Sequence, residues 1–450
     1  MDKKRVVIVG CGLAGAAAAE SARSFSQDCL ITVIDESEQC TYERSGLVYT
    51  LSGKVRTDDL FIKNRDFFTN NLRARLVMGR KVSVLDLPNH RIIYDKSGGL
   101  EGEDFDALVL ATGSQPGSSS IPGSDKLGIY RLWSLRDAEA IKQSLKNAKS
   151  ALVIGATPFA LELSEVFLSR KLNTILVTPE KEILSGYLDP SAGSLVRSIL
   201  EEEGARIICG KKIERFVGFD RVQGIILGGN VITADLVVTT GNLRPRSELA
   251  RVAGLEIGEG GGIIVNTRCE SSAKGVYAAG DCAEMTSNIF RGCAPSVLAS
   301  IALRMGIVAG YNGAGGSAEF REVVRNSSFR VDGVDICTVG LTYTEAKSKG
   351  FECIEVDSSE YQFAFYYPGG RNLYSKLVIT SSGVLIGAQF VGPTSSVWGN
   401  IAAMMIANAL PISYLSGLET SFSTLTQPYW PSPVVAAKRG EDLLRRTQGI

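Results

Sequence analysis

The sequence predicts an α/β chain of two three-layer domains followed by an α+β end domain, on three observations. Residues 6–35 read as strand, glycine turn, helix, strand and acid. Residues 151–177 read as a diverged copy of that unit. From about Glu322 the pattern changes to short β segments alternating with helices. Both copies are Rossmann-like, built to hold a nucleotide at the ends of parallel strands.

The opening unit carries the sharpest signal. Val6-Val7-Ile8-Val9 is a buried-strand run that leads into Gly10-Cys11-Gly12-Leu13-Ala14-Gly15 and a stretch of small residues. A second strand, 30–34, ends on Asp35, 20 residues after Gly15. Gly10 allows the tight turn, Gly12 lets a pyrophosphate approach the backbone, and Gly15 lets helix and strand pack closely. The phosphates then sit at the positive end of the helix, and Asp35 accepts hydrogen bonds from a ribose. Dinucleotide binding is the expectation.

Bulk properties exclude other classes. Lys+Arg and Asp+Glu balance at 48 each across 450 residues, so no overall field recruits nucleic acid or an anionic membrane. No run of 18 apolar residues occurs, and 401–410 is too short to span a bilayer. Residues 1–5 run straight into a strand, which argues against a secretory peptide. The nine cysteines include no CxxC pair, which points to a reducing cytoplasm and against a disulfide scaffold or a metal site. The single histidine, His90, lies in an expected hairpin turn and reads as a surface residue rather than a base.

Further along, 82–86 and 91–94 alternate like a hairpin around Pro88-Asn89. Residues 105–110 form a buried strand stopped by Ala111-Thr112-Gly113-Ser114, and 115–124 read as a linker. The second unit has a strand at 151–154, a turn at 155–160, a helix at 161–168 and a strand at 173–177. Residues 191–203 are helical, 206–228 give short strands, and 234–241 repeat the strand-then-glycine exit. A strand ending in Gly280-Asp281 precedes a small-residue helix expected from Ala294 to Gly310. The end domain has β segments at 329–334, 376–379 and 385–391, with helices at 344–349 and 396–409.

With these motifs in order, the chain resembles flavoproteins of the pyridine nucleotide–disulfide oxidoreductase superfamily. Within it, it is similar to the group of coenzyme A disulfide reductases, NADH oxidases and NADH peroxidases. The likeness rests on the Gly10 turn with Asp35, on Ala111-Thr112-Gly113-Ser114, on Ile121-Pro122-Gly123, on Tyr277-Ala278-Ala279-Gly280-Asp281, and on residues 339–342 and 386–392. The resemblance implies an FAD domain from 1–118 and 243–321, an NAD(P)H-binding-like domain at 119–242, and a dimerisation domain at 322–450. It implies a homodimer and FAD contacts from Val82, Ala111, Thr112, Gly113, Gly280, Asp281 and Ala294, in addition to Gly10, Gly12, Gly15 and Asp35. A carboxylate at a strand end, as at Asp281, can accept from a ribityl hydroxyl. Arg44 is expected to pair with an FAD phosphate or an anionic substrate, or to make a surface ion pair.

Two departures bear on function. The group carries a redox cysteine in a pattern like Tyr-x-x-Cys-Gly-Leu-Pro-Tyr, and the matching stretch here puts Ser45 at the cysteine position. A serine forms no mixed disulfide, sulfenic acid or thiolate. Cys40 and Cys293 are the candidates for a displaced thiol. The group's nicotinamide turn reads Gly-x-Gly-x-x-Gly-x-Glu; here Gly155 and Glu162 remain, Thr157 replaces the second glycine, Pro158 removes an N–H, and Thr178 stands where a ribose-binding acid belongs. NAD(P)H binding at that degenerate turn is therefore expected to be weakened or lost. Two aromatic segments, 363–371 and 428–431, are expected near the dimer interface.

The leading expectation is an FAD-dependent oxidoreductase that passes hydride from NAD(P)H to flavin and on to a non-disulfide acceptor: oxygen, a quinone or an electron-carrier protein. One alternative is a coenzyme A disulfide or persulfide-type reductase using a relocated cysteine. The other is an FAD-binding electron-relay or non-catalytic subunit of a larger complex.

Overall fold

The computed structural model describes residues 3–96, 99–287, 289–295 and 298–448. The chain forms two compact units. The first comprises Met1–Leu47, Val55–Gly117 and Asn242–Val323; the second comprises Val48–Lys54, Ser118–Gly241 and Val324–Ile450.

The first unit is organised by a five-stranded parallel sheet in the spatial order Val276–Ala278, Ala107–Leu110, Arg5–Val9, Leu30–Asp35, Arg75–Met78. The central strand pairs Val6 with both Ile31 and Ala107. Val6 and Ile8 are fully buried, as expected of a strand covered on both faces. Helices Leu13–Phe25 and Ala299–Gly313 pack against each other through small residues. A Cβ on Gly306 would lie 2.2 Å from the Ala14 carbonyl oxygen, and one on Gly310 would lie 2.0 Å from that of Ala18. Glycine is what brings these two backbones together. A three-stranded antiparallel meander, Val82–Asp86, Arg91–Lys96 and Gly99–Asp104, supplies a further layer. Thr32 Oγ1 on the sheet donates to Glu103 Oε1 of the meander at 2.9 Å, and Arg75 Nη1 donates to Glu103 Oε2 at 2.6 Å.

The second unit holds another five-stranded parallel sheet, ordered Arg206–Ile208, Asn173–Val177, Ser150–Ile154, Leu236–Thr239, Ile129–Arg131. It also holds a five-stranded antiparallel sheet of Ser327–Val331, Val334–Gly340, Leu385–Val391, Asn372–Thr380 and Cys353–Tyr361. Buried Asp189 joins elements of this unit. Its carboxylate accepts from the Tyr343 and Thr344 amides at 2.8 and 3.0 Å and from Gln389 Nε2 at 2.6 Å. No helix among the described residues is long and apolar enough to cross a membrane.

Three expectations are corrected. Ala294 does not open a helix: it lies on the strand Gly292–Pro295, paired with Met285, and the helix begins at Ala299. Pro295 is the reason, because a proline restricts the residue before it to extended backbone. The stretch expected as a linker contains a strand, Ser114–Pro116, paired antiparallel with Leu243–Pro245. The end domain also holds the nine-residue strand Cys353–Tyr361 and the seventeen-residue helix Ser432–Gln448, neither of which was expected.

Candidate functional site

The first glycine turn sits where the central strand ends. Gly10 adopts φ +110°, and a Cβ there would lie 2.1 Å from the Ala111 carbonyl oxygen. Gly15 is as tight, with a Cβ position 1.9 Å from the Gly10 carbonyl oxygen. Gly12 differs. Its backbone is ordinary extended, φ −75° and ψ −169°, and a Cβ there would meet nothing within 4 Å. Two glycines serve the fold, and the third leaves space open in front of the helix. That helix, Leu13–Phe25, has no side-chain cap and no acidic residue in its first turn. Its first amides are thus available to an anion.

Asp35 closes the second strand. One carboxylate oxygen accepts from the Cys11 amide at 2.5 Å and the other from the Ser37 amide at 2.7 Å. Burial pushes its carboxyl up, against these two amides and the charge of Arg44. Each oxygen keeps a lone pair for a further donor. Gly10, Asp35, Val82 and Thr112 line one cleft of about 390 Å³, together with Glu36, Gln115 and Arg246.

Arg246 and Ser114 are residues the sequence reading did not assign. The Arg246 carbonyl accepts from Thr112 Oγ1 at 2.6 Å, and its guanidinium binds Gln115 Oε1 at 3.1 Å and pairs with Glu36. Ser114 Oγ donates to Asp281 Oδ2 at 2.6 Å. Burial raises the Asp281 carboxyl, while Ser114 and the Arg44 charge pull it down. Gly280, at φ +80°, places its Cβ position 3.0 Å from the Ala14 Cβ, so Asp281 follows a residue packed on the first turn of the helix. Arg44 therefore faces both acids of this site electrostatically, and its guanidinium lies 5.9 Å from the Tyr42 ring centre. Gly113 follows Thr112 in left-handed backbone, φ +71°.

Ser45 is exposed on the 3-10 turn Arg44–Gly46, where its hydroxyl donates to Glu43 Oε1 at 2.8 Å. Cys40 is buried, and burial pushes its thiol up. That is the reverse of what a nucleophilic thiolate needs. Cys293 and Ala294 lie on a strand, but their side chains fall outside the described residues.

Gly155 and Glu162 belong to the second unit, where the first turn is repeated with substitutions. The Gly10 amide donates to the Ile34 carbonyl at 2.7 Å, and the Gly155 amide donates to the Val177 carbonyl at 3.0 Å. Thr178 thus stands where Asp35 stands, and its hydroxyl accepts from the Glu180 amide at 3.2 Å. Thr157 is the residue before the helix Pro158–Ser169, as Gly12 is before its own. The Thr157 hydroxyl accepts from the Ala160 amide at 3.3 Å, donates to Thr240 Oγ1 at 3.2 Å, and its methyl lies 3.4 Å from a Gly241 Cβ position. It fills the space that Gly12 leaves open and takes up a helix-start amide. Glu162 accepts from the Tyr49 hydroxyl at 3.1 Å.

The chain is similar to known proteins along most of its length. The pyridine nucleotide-disulphide oxidoreductase family matches residues 4–304, and its dimerisation domain matches residues 329–419. An NADH oxidase of Methanocaldococcus jannaschii is 30% identical over 90% of this chain and 90% of its own length. A CoA-dependent NAD(P)H sulfur oxidoreductase of Pyrococcus furiosus is 28% identical over 97% of this chain and 99% of its own. Among solved structures, a NAD-dependent persulfide reductase from A. fulgidus superposes with a TM-score of 0.93 at 27% identity, covering 99% of this chain and 84% of that one.

Proposed function

The chain belongs to the pyridine nucleotide-disulphide oxidoreductase family and is an FAD-dependent NAD(P)H oxidoreductase; from that premise, we propose that its electrons leave for a non-disulfide acceptor. The observation that carries this reading is Ser45: a hydroxyl sits on the turn after Tyr42, and buried Cys40 has its thiol pushed up. Bound FAD supplies the capacity to take two electrons as hydride and to release them singly or to oxygen.

The first unit fits that group. The open front of Gly12 and the uncapped helix start take the pyrophosphate. Asp35 accepts from the adenosine ribose. Asp281, held in place by Ser114, accepts from the ribityl side. Arg44 balances the phosphate charge, and Arg246, tied to Glu36 and Gln115, walls the cleft. In the second unit the Gly155 turn and Glu162 receive the hydride donor, with Thr157 weakening the pyrophosphate contact. The dimerisation domain supports a homodimer, and the unpaired cysteines suit a cytoplasmic protein.

The name of the Methanocaldococcus relative favours oxygen as acceptor. Steady-state NADH oxidation tests this reading with oxygen, a soluble quinone and ferricyanide in parallel with coenzyme A disulfide and polysulfide. Turnover with the first set and none with the sulfur substrates is the expected result; sulfur substrates reduced at the faster rate would overturn it.

A further inference from the structure

Glu162 lies on the helix Pro158–Ser169, and the bond it receives at 3.1 Å comes from Tyr49 on the helix Leu47–Ser52. The partner is a neutral phenol. A lysine or arginine there would pin the carboxyl in its ionised form; a phenol bonds to it and leaves it free to titrate. Other charged groups flank the pair: Arg170, which caps the Glu162 helix, donates from Nη1 to the Leu51 carbonyl of the Tyr49 helix at 2.7 Å. Glu165 lies one turn along the same helix and accepts from the Asp332 amide at 3.3 Å. Arg330 faces Tyr49 from the strand Ser327–Val331 and is engaged by Asp335 at 2.6 Å.

We propose that Tyr49 is a positioning residue of the hydride-donor site. Its hydroxyl fixes and tunes the Glu162 carboxyl, whose ionised form favours the cationic nicotinamide ring over the neutral dihydronicotinamide. This rests on the reading that the Gly155 turn receives NAD(P)H. Hydride donation by a dihydronicotinamide breaks its C4–H bond, the hydrogen leaves with its electron pair for the acceptor, and the ring is left with one positive charge. A carboxylate nearby stabilises that charge; a neutral carboxyl does not.

Electrostatics agree with this geometry. Burial pushes Glu162 up to about 7, with the Tyr49 bond pulling it down and Glu165 pushing it up. Burial and the two glutamates hold Tyr49 up at about 12, so it remains a donor at neutral pH. Removing the phenol removes a hydrogen bond that favours the carboxylate, so Tyr49→Phe should raise the Glu162 pKa.

The test is calorimetric titration of the FAD-loaded protein with NAD+ from pH 5.5 to 9, in wild type, Tyr49→Phe and Glu162→Gln, with an infrared pH difference spectrum of the wild type. NAD+ affinity should rise several-fold as pH passes through the Glu162 transition, with loss of a neutral-carboxyl band in the same range. Glu162→Gln should flatten the profile and abolish the band, and Tyr49→Phe should move the transition to higher pH. A transition unmoved in Tyr49→Phe, or one that persists in Glu162→Gln, overturns the inference while leaving the NAD(P)H reading intact. Absence of NAD+ binding at every pH, in protein whose chemically reduced form still turns over acceptors, overturns both.

Discussion

Gly12→Val should yield a folded protein that purifies without flavin. The backbone at Gly12, φ −75° and ψ −169°, suits a β-branched residue, and the added Cβ meets nothing within 4 Å. The fold therefore has no reason to object. The side chain would instead occupy the open space in front of the helix Leu13–Phe25, where a pyrophosphate must approach. Affinity for FAD should fall by about 100-fold, equivalent to about 3 kcal/mol. The 450 nm absorbance of the purified protein reports the loss, and an unchanged far-ultraviolet circular dichroism spectrum reports the intact fold. Gly10→Val and Gly15→Val are the controls. Their Cβ atoms would fall 2.1 and 1.9 Å from backbone oxygens, so those variants should fail to fold rather than simply lose cofactor. A flavin-replete Gly12→Val would refute the assignment of that space to the cofactor.

The reciprocal change belongs to the second unit. Thr157→Gly removes the side chain that fills the equivalent space, and it frees the Ala160 amide. Glycine at a helix N-cap costs only a few tenths of a kcal/mol relative to threonine, so the helix Pro158–Ser169 should persist. Pro158 remains, but it occupies the first helical position, where its missing N–H is of least consequence. The KM for NADH should fall about tenfold, about 1.4 kcal/mol of recovered binding, with kcat and flavin content unchanged. Steady-state kinetics at saturating acceptor measure it. An unchanged KM would mean that Thr157 does not face the nucleotide.

The first turn was readable because its parts are local: three glycines between two strands and an acid at the end of the second, at fixed spacing. The departures at Thr157 and Thr178 were readable as substitutions in a repeated pattern; what each hydroxyl bonds to was not. The Ser114–Asp281 bond spans 167 positions and the Tyr49–Glu162 bond 113, and no periodicity in one chain announces such pairs. Arg246 lacked any motif of its own; the returning strand Leu243–Pro245 brings it to the cleft. The small residues around Ala294 suit a helix, but Pro295 holds Ala294 in extended backbone. The strand Cys353–Tyr361 was missed because it forms the edge of its sheet, where exposed polar side chains mask the alternation expected of a half-buried strand.

The most direct measurement is an anaerobic titration of the FAD-loaded protein with NADH, followed from 350 to 800 nm. A centre with flavin and no partner thiol should bleach fully with about one equivalent of NADH per FAD, two electrons in all, and show no long-wavelength thiolate–flavin band. Uptake of a second equivalent accompanied by such a band would show a redox sulfur beside the flavin and contradict the account built on Ser45.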